Sequence, residues 1–163
     1  MPNLMKASGI LTAIAFAASA PGVRAQETSH DICRSIGTFT PEQLGDREHH
    51  ALAITRDSCL TTEGPTTGSV NDDTVVMEWD GWHAKELSGF GIGRKPGATI
   101  EFQDLDGQVE VTLADGKPTG WTATGHSIVT LATGDWAPLK GKTISWTGKG
   151  AGPNVSETDY TWK

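Results

Sequence analysis

The chain reads as an all-β protein: a single antiparallel β-barrel or strongly curved meander of seven to eight strands, with a β-sandwich as the alternative. Three observations predict this. Twenty glycines punctuate the 163 residues and break them into short apolar runs. Within those runs apolar residues recur every second position, the period of a strand with one face buried. The runs also follow one another through short turns, which favours antiparallel neighbours, and closing such a sheet removes its edges.

The first 25 residues stand apart. Lys6 precedes a small-residue apolar run, Gly9 to Ala20, and Val23-Arg24-Ala25 has the layout of a signal-peptide cleavage site. The run is shorter than the ~20 residues a membrane-spanning helix needs, and no later segment approaches that length. The expectation is a secreted or periplasmic protein beginning near Gln26. Residues 26–50 are polar and read as an N-terminal arm, in which Thr40 and Pro41 could start one helical turn. Residues 51–163 read as the barrel domain. Cys33 and Cys59 are the two cysteines. In an oxidising compartment they are expected to form one disulfide that pins the arm.

Along the barrel domain, 51–55 is a first strand and 67–73 ("TGSVNDD") a turn cluster. In 74–79 Val75, Met77 and Trp79 share a face. In 98–103 Ala98, Ile100 and Phe102 alternate with Thr99, Glu101 and Gln103. Asp106-Gly107 and Asp115-Gly116 read as hairpin turns on either side of a strand carrying Val109, Val111 and Leu113. Strands around Trp121, at 126–132, at 142–148 and at 156–163 complete the set; Ile144 and Trp146 share one face, as do Tyr160 and Trp162.

Several chemistries are excluded. Outside the leader, eleven basic residues face twenty acidic ones, a poor surface for nucleic acid. His49-His50 lacks a chelating spacing, "DLDG" (104–107) lacks the later ligands of a calcium loop, and no zinc motif occurs. "GFGIG" (89–93) has no helix after it to cradle a phosphate, and reads as closely packed strand backbone. No nucleophile elbow is present, and His126-Ser127 are merely sequence neighbours. No catalytic set, metal site or cofactor site emerges. Asn154 begins a formal glycosylation sequon.

The positive signal is aromatic. Six tryptophans suit either a barrel interior, where one ring buries up to ~250 Å², or an exposed surface that stacks on a glycan. Trp82, among polar neighbours, suits exposure. The stretch 132–150 resembles a turn-and-strand pattern of small exported barrels of the allene oxide cyclase-like and dirigent-like type. Gly134, Trp136, Leu139 and Gly141 occupy matching positions, although Pro138 and an alanine depart from the pattern. The resemblance covers about the last 70 residues. It implies a closed barrel with an apolar interior and carries over no catalytic residue.

The expected function is non-enzymatic binding of a small, largely apolar ligand by Trp79, Phe102, Trp121, Trp146 and Tyr160. Val75, Met77, Ile100, Val111 and Ile144 would face inward beside them. One alternative is a cyclase or isomerase, with Glu78, His126 or Tyr160 converging on the cavity. The other is a glycan-binding surface of exposed tryptophans.

Overall fold

The computed structural model describes residues 27–163; the leader read at 1–25 lies outside the described residues. The strands are β1 (Thr28–Ser35), β2 (Glu42–Gln43), β3 (His50–Glu63), β4 (Val70–Asp80), β5 (His83–Lys95), β6 (Ala98–Ala114), β7 (Lys117–Ala132), β8 (Thr143–Gly152) and β9 (Val155–Trp162). Each consecutive pair from β3 to β9 is antiparallel. β1 pairs with both β9 and β3, closing eight strands into a barrel. Thus the segment read as an arm contributes a full stave. The short β2 pairs with Ala51 and Leu52 on the length of the β3 edge that β1 leaves free. That extended pairing replaces the helical turn expected after Thr40.

Cys33 and Cys59 face each other across β1 and β3 and form the expected disulfide, with both residues buried inside the barrel. The Asp115-Gly116 hairpin forms as expected; both residues have positive φ, as the tight turn between β6 and β7 requires. Of two other turn readings, that at 67–73 holds only for its first residues, Thr67 and Gly68, and that at Asp106-Gly107 does not hold. Asn71 to Asp73 lie within β4, and Asp106-Gly107 lie in the middle of β6. At the second place the register steps from Asp104↔Ser127 to Asp106↔His126, leaving Leu105 as a bulge. One extra residue reverses the alternation. Ala98, Ile100, Phe102 and Asp104 point inward before it, and Gly107, Val109 and Val111 after it.

The two ends of the barrel are built differently. At one end a short 3-10 helix, Gly134–Leu139, crosses the opening between β7 and β8. It inserts Trp136 and Leu139 against Ala98, Ile100, Val129, Ile144 and Trp162. Trp136 is 2 % exposed, so it plugs this closed end and does not guard an open rim. Lys95 places its ammonium 4.8 Å from the Trp136 ring centre and pairs with Asp135 at 2.9 Å. The indole of Trp162 donates to Ser29 Oγ at 2.8 Å. The opposite end carries the β4–β5, β6–β7 and β8–β9 turns and the long β1–β3 segment. No comparable plug fills it among the described residues.

Candidate functional site

A cavity of about 160 Å³ occupies the middle of the barrel. Phe102, Trp121, Trp146 and Tyr160 line it, with Val75 and Met77. Towards the open end it adjoins a chamber of about 320 Å³, which shares Met77, Val109 and Trp121 with it and adds Trp79 and Val111. Ile100 and Ile144 belong to the plug beneath. All five residues expected to meet a ligand therefore face the interior or its mouth.

The segment between β1 and β2 folds over that mouth. Phe39 packs edge-on against Trp79, ring centres 5.5 Å apart. It separates the mouth chamber from a shallower space of about 570 Å³ beside Trp82 and Pro118. The following loop is held by polar contacts outside the barrel. His50, 5 % exposed, bonds through Nδ1 to Asp46 at 2.5 Å and through Nε2 to Glu78 at 2.7 Å. Arg47 pairs with Asp80 at 3.0 Å. The hydrogen bond that His50 donates to Asp46 is the main cause that raises its pKa, with that to Glu78 next. His49 has positive φ, so the chain does turn there, yet its ring points to Glu48 in solvent. No three metal-ligating side chains converge among the described residues.

Of the three polar candidates for the cavity, only Tyr160 is inside. Glu78 lies on the outer face against His50. His126, also outside, bonds Asp106 at 2.9 Å. Adjacent strand residues face opposite ways, so Ser127 points in. Its hydroxyl donates to Asp104 at 2.5 Å and accepts the Trp146 indole N–H at 3.0 Å.

The interior also holds a group that sequence reading missed, a set of carboxyls. Asp73, Glu86 and Asp104 line the cavity with Asp57, and Asp31 lies just below beside Asn71 and Tyr160. The glycines of "GFGIG" make room for them. Gly89, Gly91 and Gly93 all point inward from β5. A Cβ on Gly89 would fall on the Asp104 and Glu86 carboxyls, and one on Gly91 on Asp73 and the Phe102 ring. Gly107 likewise leaves space for Glu86. The expected close packing is real, and acids are what it accommodates.

Burial raises every one of these acids whose titration is perturbed, because a carboxylate loses its hydration there. Glu86 is pushed up to about 8, by burial first and then by the neighbouring Asp104. Asp73 is raised well above the usual carboxylate range, by burial and then by repulsion from Asp104 and Asp31. Asp104 is raised by burial against the hydrogen bonds from Ser127 and Glu86. Asp31 is raised by burial too, although Asn71 Nδ2 donates to it at 2.8 Å. The Tyr160 phenol is raised by burial and by the same acids. With its carboxyl pushed up to about 8, Glu86 holds its proton at neutral pH beside Asp104.

A signal for the acids existed in the sequence. Asp73 has the same parity as Val75, Met77 and Trp79, and Asp104 the same as Ile100 and Phe102. Both were hidden by turn-like neighbours. No protein-family model and no curated protein matches this chain.

Proposed function

We propose that the barrel is an exported small-molecule binding protein that takes a compact ligand through its open end. The observation that carries this reading is the space running from the aromatic mouth to the mid-barrel cavity, bounded below by a packed plug. Concave sites lined by apolar rings with a few convergent polar groups are the usual form of small-ligand sites. An apolar ligand body would rest on Trp79, Phe102, Trp121, Trp146 and Tyr160. Export is supported by the leader-like N-terminus and by a disulfide, a bond that persists in oxidising compartments.

Intrinsic tryptophan fluorescence titrated with cyclohexylmethanol, a neutral ring compound that does not absorb with tryptophan, tests the reading. A saturable change, reduced in Trp121→Ala, is expected. A linear response up to the solubility limit overturns it.

One observation favours a second reading, an isomerase or cyclase. A buried carboxyl beside a second one, Glu86 next to Asp104 and pushed up to about 8, has the character of a general acid poised at neutral pH. Under that reading Glu86→Gln abolishes turnover and leaves binding intact. The glycan-binding alternative needs a platform of exposed rings. Among the described residues Trp82, 45 % exposed, is the one tryptophan on the outer surface to that degree.

A further inference from the structure

We propose that the ligand of this cavity carries a cationic head, an amine or alkylammonium group, which passes the tryptophans and lies against Asp73 and Glu86. The proposal rests on the binding reading above and adds the charge of the ligand. Carboxyls face the interior from five strands: Asp31 on β1, Asp57 on β3, Asp73 on β4, Glu86 on β5 and Asp104 on β6. Among the described residues the only other titratable side chain there is Tyr160 on β9, and no described lysine, arginine or histidine lines the cavity. Arg56 borders the mouth chamber above. The interior is therefore acidic without an internal counter-ion.

These acids differ in how far the protein satisfies them. Asp104 receives the Ser127 hydroxyl, and Asp31 receives the Asn71 amide on Oδ2 while its Oδ1 has no donor among the described residues. Glu86, 9 % exposed, has Oε1 without a donor, and Asp73 has Oδ1 without one. Both residues line the cavity. Placing purely apolar matter there would leave those oxygens unsatisfied, which is costly in a buried site. An anion would meet repulsion. A group that brings N–H donors and positive charge suits a cavity walled by such carboxyls. The rings of Trp121, Trp146 and Phe102 border the same space and present faces that attract a cation. The inward glycines hold the carboxyls in place, since any side chain at Gly89 or Gly91 would displace them.

Such a ligand couples to protons. A bound cation favours the ionised carboxylates, and burial holds Glu86 protonated up to about 8 in the empty barrel. Binding therefore releases a proton, and affinity rises with pH by up to about tenfold per unit below that value. An aliphatic amine remains charged throughout this range.

The test compares cyclohexylmethylamine with its neutral isostere cyclohexylmethanol at pH 6, 7 and 8, by tryptophan fluorescence and by calorimetry in buffers of different ionisation heat. Expected are amine binding at least tenfold tighter than alcohol at pH 8, amine affinity rising with pH, and proton release on binding. Asp73→Asn and Glu86→Gln should each weaken the amine about tenfold and leave the alcohol within twofold. Alcohol binding as tight as the amine, or amine affinity flat from pH 6 to 8 in the unsubstituted protein, overturns the cationic head and leaves the binding reading standing. Failure of both compounds to bind overturns both.

Discussion

The two ends of this barrel use the same residue type to opposite effect. At the closed end Trp136 and Trp162 are 2 % and 6 % exposed and pack against Ile100, Val129 and Ile144. At the open end Trp79 and Trp121 border empty space, with one loop ring, Phe39, laid across. The difference lies in what the connecting segments bring. The β7–β8 connection folds into a 3-10 helix that drives an indole and a leucine into the barrel. The β1–β3 connection delivers a half-exposed phenylalanine on a polar-anchored loop. Tryptophan content alone thus indicates neither a filled barrel nor an open one; the loops decide.

The contrast can be broken most forcefully at the plug. Trp136→Ala should destabilise by about 3–5 kcal/mol in urea unfolding, the usual result of emptying a packed aromatic site. Trp79→Ala, beside space already empty, should cost less than half as much. Equal losses would mean that the mouth is packed after all. Next is the disulfide, which closes a loop with sequence separation 26. Replacing both Cys33 and Cys59 with alanine should cost ~3 kcal/mol in the chain-entropy account, because the unfolded chain then regains the freedom that the cross-link removes.

Gly91→Ala tests the acid-bearing middle layer. Its Cβ would strike Asp73 and Phe102, and a loss of about 1–3 kcal/mol is expected from overpacking. Gly152→Ala, where nothing lies near, should be close to neutral.

The pH dependence sharpens the same distinction. Below the ordinary glutamate range Glu86 is protonated in folded and unfolded chains alike. As pH rises through that range the unfolded chain ionises first, while folded Glu86 holds its proton up to about 8. Stability from this group therefore falls across that window. His50 slopes the same way: its raised pKa gives stability that is complete below the unfolded histidine value and lost as pH rises through the folded one. Glu86→Gln should flatten the decline in urea midpoint between pH 5 and pH 8 and make the protein more stable than its parent at pH 8. An unchanged slope would assign the decline to His50 and to the other raised acids, Asp73, Asp104 and Asp31. A small effect on stability is expected for Phe39→Ala, within about 1 kcal/mol for a half-exposed side chain. Faster exchange of bound cyclohexylmethanol would show that the ring covers the mouth.

Much of the fold was legible from residue pattern. Period-two runs placed Trp79, Phe102, Trp121, Trp146 and Tyr160 on inward faces, Asp115-Gly116 marked a real hairpin, and Cys33 with Cys59 marked a real tie. The candidate site was legible only in its aromatic half. Asp73 sat in "SVNDD" and Asp104 in "DLDG", where aspartate, asparagine and glycine have the chemistry of turns. In the barrel those aspartates are strand residues, because the inward glycines of β5 yield the volume their carboxyls occupy. Glu78 and His126 illustrate the reverse: polar residues near the aromatics in sequence, but on the outer face in space.

What the sequence by itself determined is therefore local: strand parity, one tight turn, the cysteine pair and an acidic balance. Whether β1 stands beside the barrel or closes it, which end is plugged, and that five carboxyls share one interior were decided only by tertiary structure. The physical reason is that each depends on partners distant in sequence. β1 finds its place between β9 and β3, Glu86 meets Asp104 across β5 and β6, and a single bulge at Leu105 sets which side of β6 each later residue faces.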